Sequence, residues 1–395
     1  MLSINYTEKI LGLQDVIVKK VEDDGENLRI FVELKRKVVN CPCCGTATRT
    51  IHDYRTQKIK DTSAFGKKVT IILQKRRYRC SCGKRFAEPN AFLPRYHRMT
   101  HRLIDSIIYK LREERSFTSV AREANLSVST VIRVFDNINY SKPQVLPKAI
   151  GIDEFKGNTG REKYQCIITD LSNGAIIDIL PKRYEHYLCD YFKSIQRGDV
   201  KCFVSDMWKP YNEIASTYFK NATYIIDKYH WIRQVIWAFE AVRKEVQKKF
   251  SKSHRIYFKR SRSLLLKRFV NLTDEQKQQF NIMISASPSL SNAYYLKEQF
   301  YEIVNCTNRE EAKKQLIKWI DDTKDSGLIP FEKCGTTMYN WMTGILNSFD
   351  YSYTNGFTEG CNNKIKVLKR NAYGYRNFKR FRNRILHIFS HKNAA

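Results

Sequence analysis

The chain has 395 residues, 42% of them hydrophobic and 13% aromatic, enough to bury a core in two or three domains and too apolar for a disordered chain. Its 70 Lys and Arg against 40 Asp and Glu leave a formal net charge of +30, which points to a polyanionic partner. No apolar run is long enough to span a bilayer, no signal-peptide pattern opens Met1-Leu2-Ser3-Ile4-Asn5, and the cations are spread over every segment, so nucleic acid is favoured over membrane. The eleven Cys comprise one tight cluster and isolated residues in apolar strands, such as Cys166 and Cys202, which suits a reducing cytoplasm better than a disulfide framework.

Residues 1–95 carry Cys41-Pro42-Cys43-Cys44-Gly45 and then Cys80-Ser81-Cys82-Gly83. Two Cys pairs, each followed by Gly, predict two facing knuckles of a zinc ribbon, with Cys41, Cys44, Cys80 and Cys82 holding a structural Zn²⁺. The spacer in Cys80-Ser81-Cys82 is one residue short of the usual two, and Cys43, His52 or His97 are the substitute ligands. Val69–Leu73 and Lys75–Arg79 suggest strands with a basic edge.

Residues 96–142 read as helical. Ile104, Ile107, Ile108 and Leu111 form one stripe, and Ser116 to Phe135 form two helices around a turn at Asn125-Leu126-Ser127. Val120, Ala121, Leu126, Val131 and Val134 sit where the core of a helix-turn-helix needs them. Ser127 is the expected N-cap of the second helix, which would present Ser129, Thr130 and Arg133 to a DNA major groove. Ser141-Lys142-Pro143-Gln144-Val145-Leu146-Pro147 is the linker.

From residue 148 to 390 the pattern changes. Strands are expected at 149–155, 163–170 and 175–180, then a helix from Tyr184 to Ile195, a strand at 200–205, a helix from Pro210 to Phe219, a strand at 222–227 and a long helix from Lys228. This is the element order of a ribonuclease-H-like α/β fold. The chain is thus an α+β multidomain protein: zinc ribbon, helix-turn-helix, then this domain with a helical insertion at about 251–350. Two apolar strands end in carboxylates, Asp153 and Asp206. A third, Glu359, falls on a helix whose polar face continues Asn363, Lys366 and Arg370, opposite Phe357, Cys361, Ile365 and Leu368. Three carboxylates from separate elements can hold two divalent ions, whose charge offsets their repulsion. Asp170 and Asp178 read as hairpin surface. Asp227 reads as an N-cap or an auxiliary acid, with His230 on the same first turn. A final amphipathic helix carries Phe378, Phe381, Ile385 and Ile388.

These blocks resemble the ISL3 family of insertion-sequence transposases, of the Asp-Asp-Glu (DDE) class. The resemblance rests on the Cys41 knuckle, Arg76-Arg77-Tyr78-Arg79-Cys80, the helix-turn-helix, Gly151-Ile152-Asp153-Glu154, Ser205-Asp206-Met207-Trp208, Asp227-Lys228-Tyr229-His230 and Asn355-Gly356-Phe357-Thr358-Glu359-Gly360. It implies Asp153, Asp206 and Glu359 as a catalytic triad for two Mg²⁺ (or Mn²⁺) ions, and Asp227 and His230 as an auxiliary motif. It implies cleavage at the terminal inverted repeats of the element and joining of the freed 3′ ends to target DNA. Asn363, Lys364, Lys366, Lys369 and Arg370 would hold phosphates beside the site. A homodimer or larger assembly on double-stranded DNA, in the bacterial cytoplasm with the nucleoid and away from membranes, is what such proteins form. The competing readings are a DNA-binding regulator with an inactive catalytic domain and a structure-specific nuclease.

Overall fold

The structure is a computed structural model that describes residues 9–94, 97–260 and 262–390; the opening residues Met1 to Asn5 lie outside them. The chain divides into two compact units, Met1–Tyr140 with Val367–Tyr375 and Lys379–His391, and Ser141–Lys366 with Arg376–Phe378. Among the described residues no helix is long and apolar enough to cross a membrane.

In the first unit, β1 (Val16–Asp23) and β2 (Asn27–Leu34) form an antiparallel hairpin. Val16, Val18, Ile30, Val32 and Leu34 are buried at the two-residue period of a sheet with one covered face. A small hairpin, β3 (Val39–Asn40) and β4 (Ala47–Thr48), carries the first Cys pair. β5 (Ile51–Lys60) pairs antiparallel with β6 (Lys68–Arg79), which runs parallel to β2 and also pairs with β7 (Arg85–Ala87), so the sheet reads β1-β2-β6-β5. The zinc knuckles thus belong to a larger sheet domain whose core is Ile30, Val32, Ile59, Ile71 and Leu73.

The expected helix-turn-helix follows as α1 (His101–Lys110), α2 (Phe117–Glu123) and α3 (Val128–Phe135). Ser116 and Ser127 cap α2 and α3, each hydroxyl accepting from the amide three residues on. Asn125 takes a left-handed φ of 52°, and the Leu126 amide closes the turn on the Ala121 carbonyl at 2.9 Å.

In the second unit, β8 (Ala149–Phe155), β9 (Gln165–Asp170) and β10 (Ala175–Leu180) are antiparallel. Then come α4 (Glu185–Lys193), β11 (Cys202–Ser205), α5 (Lys209–Tyr218), β12 (Thr223–Ile226) and α6 (Lys228–Lys248). The sheet order is β10-β9-β8-β11-β12, with β11 parallel to both β8 and β12, the ribonuclease-H-like arrangement. β8 is buried on both faces, Ile150 and Ile152 toward α4 and α5, Ala149 on the other side with Val204 and Ile225. That is why it reads as an unbroken apolar run. Asp170 and Asp178 are not hairpin surface. Both are buried: Asp170 caps the turn through the Ser172 and Asn173 amides, and Asp178 accepts from the Tyr191 hydroxyl at 3.0 Å.

The insertion consists of α7 (Lys252–Arg260), α8 (Arg262–Leu266), α9 (Asp274–Ile284), α10 (Pro288–Asn305), α11 (Arg309–Asp325), α12 (Ile329–Asn340) and α13 (Met342–Asp350). It shares one core with α6, built from Trp231, Phe239, Phe300, Trp319 and Phe331. The Trp319 indole donates to the Leu296 carbonyl at 2.8 Å.

Two helices close the chain, α14 (Gly356–Asn371) and α15 (Phe378–Phe389). The amphipathic tail helix, expected within 148–390, packs in the first unit as a fourth helix of the DNA-binding fold. Arg384 is fully buried over the Phe117 and Phe135 rings and donates to the Glu113 and Arg115 carbonyls at 2.7 and 2.8 Å. Asn383 donates to the Ile138 carbonyl, and His387 bridges the Tyr140 hydroxyl and the Ile108 carbonyl. Arg384→Ala removes a fully buried side chain, its packing on two aromatic rings and its two carbonyl bonds, and should destabilise the first unit by roughly 2–4 kcal/mol. All five Trp lie in the second unit. Proteolysis of the first unit should therefore accelerate while the tryptophan-fluorescence unfolding midpoint stays in place.

Candidate active site and metal centres

Adjacent strands deliver the acids. Asp153 lies near the end of β8, Asp206 follows β11, Asp227 follows β12, and Glu359 sits on the first turn of α14. Asp153, Glu154 and Asp206 bring carboxylate oxygens within 4.8 Å of one another, and so do Asp227, His230 and Glu359 with their ligand atoms. The two groups adjoin electrostatically: Glu154, Glu359 and Asp227 all act on Asp153.

What seats α14 is a network that the sequence reading did not anticipate. A Cβ on Gly151 would lie 2.7 Å from Asn355 Oδ1, 2.7 Å from Thr169 Oγ1 and 2.9 Å from Thr358 Oγ1, so only glycine lets the helix start rest on β8. The Asn355 side chain donates to the Ile152 carbonyl at 3.2 Å, and its backbone amide donates to Asp227 Oδ1 at 2.9 Å. Thr358 bonds Thr169 at 2.7 Å and Asn355 at 3.0 Å. One turn on, buried Asn362 donates to Asp153 Oδ2 at 2.8 Å, while the Glu154 amide donates to Asp153 Oδ1 at 2.7 Å. Glu154, also outside the expected site, is held by Arg183 at 2.5 Å and by the buried Tyr211 hydroxyl at 3.3 Å.

Burial, reinforced by neighbouring carboxylates, pushes the Asp153 and Asp206 carboxyls up to about 7. Glu359 is raised by burial and by Asp227, against the pull of Lys366 and Arg233, and burial lowers His230. Among the described residues no Lys or Arg forms an ion pair with Asp153, Asp206, Asp227 or Glu359, and the buried atoms Asp206 Oδ1 and His230 Nε2 have no hydrogen-bond partner. Acid oxygens and an imidazole nitrogen gathered without a compensating cation suit a divalent metal, which supplies the missing charge.

Cys41, Cys44, Cys80 and Cys82 also converge, with Sγ atoms 3.7 Å apart for Cys41 and Cys82 and 3.5 Å for Cys44 and Cys80. Four sulfurs at about 2.3 Å around tetrahedral Zn²⁺ would stand about 3.8 Å apart, so the cluster fits that ion. The short spacer does not prevent closure. Gly45 and Gly83 turn each knuckle at φ of 73° and 85°, and the Cys43 amide points at the Cys41 sulfur at 3.4 Å. The exposed Cys43 thiol, His52 and His97 stay outside the cluster.

Of the expected DNA-contacting residues, Ser129 and Arg133 are exposed on α3, and half-buried Thr130 shares the Ser127 hydroxyl with Ser129. Arg133 and Thr130 line a cleft of about 970 Å³ opposite Lys58, Lys60 and Arg98. Asn363 and Lys366 are exposed on α14 and bonded to each other at 3.1 Å, and Lys364 is half-buried. Lys369 and Arg370 fall in the first unit, where Arg370 lines a recess with Arg115, Ser116 and Ser119.

Comparison with known proteins agrees with this architecture. Residues 150–385 match a transposase family, residues 37–82 the zinc finger of IS204/IS1001/IS1096/IS1165 transposases, and residues 88–139 the helix-turn-helix domain of the ISL3 transposases. The chain belongs to the ISL3 transposase family. It is 26% identical over 392 residues to the transposase for insertion sequence element IS1001 of Bordetella parapertussis, covering 95% of this chain and 96% of that protein. Over 118 residues it is 28% identical to the transposase for IS1557 of Mycobacterium tuberculosis, 30% of this chain and 26% of the relative. Over 114 residues it is 32% identical to a Lactococcus lactis protein named ATP-dependent protease, 28% of this chain and 34% of that protein.

Two outcomes follow from these geometries. The purified protein should carry about one Zn²⁺ per chain by metal analysis, and Cys80→Ser should lose it. Gly151→Ala should displace the start of α14 and cost about 1–3 kcal/mol in tryptophan-monitored unfolding.

Proposed function

We propose that this transposase binds the terminal inverted repeats of its element, cleaves there and joins the freed 3′ ends to target DNA. The observation that carries the reading is the convergence of Asp153, Asp206, Asp227 and Glu359 from four separate elements, buried or half-buried and, among the described residues, unpaired with cations. Asp153, Glu154 and Asp206 would hold one Mg²⁺ or Mn²⁺, and Asp227, His230 and Glu359 a second beside Asp153. Such ions activate an attacking water or 3′-hydroxyl and stabilise the leaving oxygen of a phosphodiester.

The protein's own groups fix where that chemistry happens. Asn362 and the Glu154 amide each hold one Asp153 oxygen, so the carboxylate cannot rotate. Arg183 and Tyr211 hold Glu154 against Asp206. Lys364 and Lys366, on the helix that carries Glu359, would hold DNA phosphates. Ser129, Thr130 and Arg133 would read bases at the element end, and the reaction belongs in the cytoplasm, where the chromosome lies.

A strand-transfer assay tests this reading. Purified protein with Mg²⁺ or Mn²⁺ and a labelled element end should give joined products, and Asp153→Asn or Glu359→Gln should lower their rate by about a thousandfold or more. Specific binding without cleavage under either metal would instead identify a regulator, and cutting without joining or end preference a nuclease. In the same system Arg133→Ala should weaken end binding by about 1–3 kcal/mol and relax base preference.

A further inference from the structure

The insertion carries a charge distribution that the active site does not use. Lys248, Lys249, Lys252, Arg255, Lys259 and Arg260 lie within thirteen residues that contain no Asp or Glu, and all six are exposed. Among the described residues none of them is paired with a carboxylate. Of the nearby acids, Glu240 is taken, and Glu245, exposed on α6 just before Lys248 and Lys249, forms no ion pair with them among the described residues. Buried Arg243 and exposed Arg262 hold Glu240 at 2.7 and 2.6 Å.

That buried pairing also fixes the platform. Arg243 passes to Gln247 at 2.9 Å, and the Gln247 side chain donates to the Arg255 carbonyl of α7 at 2.6 Å. Phe258 is the one buried residue of α7, packed on Phe250 with ring centroids 4.6 Å apart. The rest of the helix faces outward. Lys252, Arg255 and Lys259 recur at steps of three and four, so they share one face, around Ile256. Like charges at this spacing repel, and folding alone does not call for them.

We propose that α7 and the end of α6 form a second DNA contact, which grips duplex phosphates without reading sequence. A nine-residue helix is about 13 Å long, a length over which a DNA duplex presents roughly eight phosphates. The cation stripe complements that charge. Ile256 and Tyr257 are too little apolar surface, among so many cations, to insert into lipid. This contact is separate from base reading by α3, and it stands whether or not the end-specific reading holds.

The test uses the full chain, a mixed-sequence DNA duplex several turns long and phosphatidylserine vesicles. Binding is followed by anisotropy across a salt series for wild type, for K252Q/R255Q/K259Q and for K252E/R255E/K259E. The glutamine variant keeps good helix formers and an unchanged tryptophan spectrum reports its fold, so it decides the matter if the glutamate variant misfolds. Both variants should bind the duplex at least tenfold more weakly near 0.1 M salt, and the slope of log K against log salt should become shallower by about 2–3. Base preference for an element end should survive in them, whereas Arg133→Ala should change preference and spare most of the slope. Unchanged affinity and slope in the folded glutamine variant overturn the proposal. So does a variant that loses vesicle binding while keeping duplex binding.

Discussion

The missing side chain at Gly151 is the constraint on which the candidate active site depends. With a bare Cα in the central strand, Asn355 and Thr358 can rest directly on β8 and bond Ile152, Thr169 and Asp227. The first turn of α14 then has one available position, and Glu359 is set beside Asp227. Asn362, a turn further, reaches back to Asp153. Three strands and a helix distant in sequence are thereby tied into one constellation by hydrogen bonds from neutral donors, which orient Asp153 and Asp227 without pairing them with a cation.

That arrangement stores electrostatic conflict. The Asp153 and Asp206 carboxyls are largely withdrawn from solvent among other acids, and the nearby Arg183 is paired with Glu154. A divalent ion would relieve the conflict; without one, burial and neighbouring acids make these groups hold their protons more tightly. Exposed cations line α7, and Arg133 on α3 and Lys366 on α14 are exposed as well. Gathered acids in one place and exposed cations elsewhere are what the proposed metal-dependent reaction on DNA would call for.

Much of this was legible in the sequence. Apolar runs ending in Asp153 and Asp206 mark strands buried on both faces, and the Asn173-Gly174 turn marks the hairpin, so the order of the catalytic sheet could be read. Ser127 and Asn125 announced the helix-turn-helix. The four cysteines, each pair followed by a turn glycine, announced the zinc ribbon despite the short spacer. What could not be read were partners distant along the chain. Glu154 alternates away from Asp153 and looks like strand surface until Arg183 and Tyr211 arrive from elsewhere. Asp178 looks like hairpin surface until Tyr191 covers it. The tail helix showed an amphipathic stripe, but nothing local says that its buried Arg384 would serve carbonyls of Glu113 and Arg115, more than 250 residues away. Val16, Val18, Ile30, Val32 and Leu34 did alternate in plain view, and that signal for β1 and β2 lay in the sequence unread.

The central claim is that these carboxylates are a metal site. Anomalous scattering from crystals of the protein grown with Mn²⁺ tests it most directly. The account predicts manganese peaks bound by Asp153 and Asp206 and by Glu359 with Asp227 or His230, the first lost in Asp153→Asn and the second in Glu359→Gln. Manganese confined to surface acids, with these side chains empty and unmoved, would contradict it.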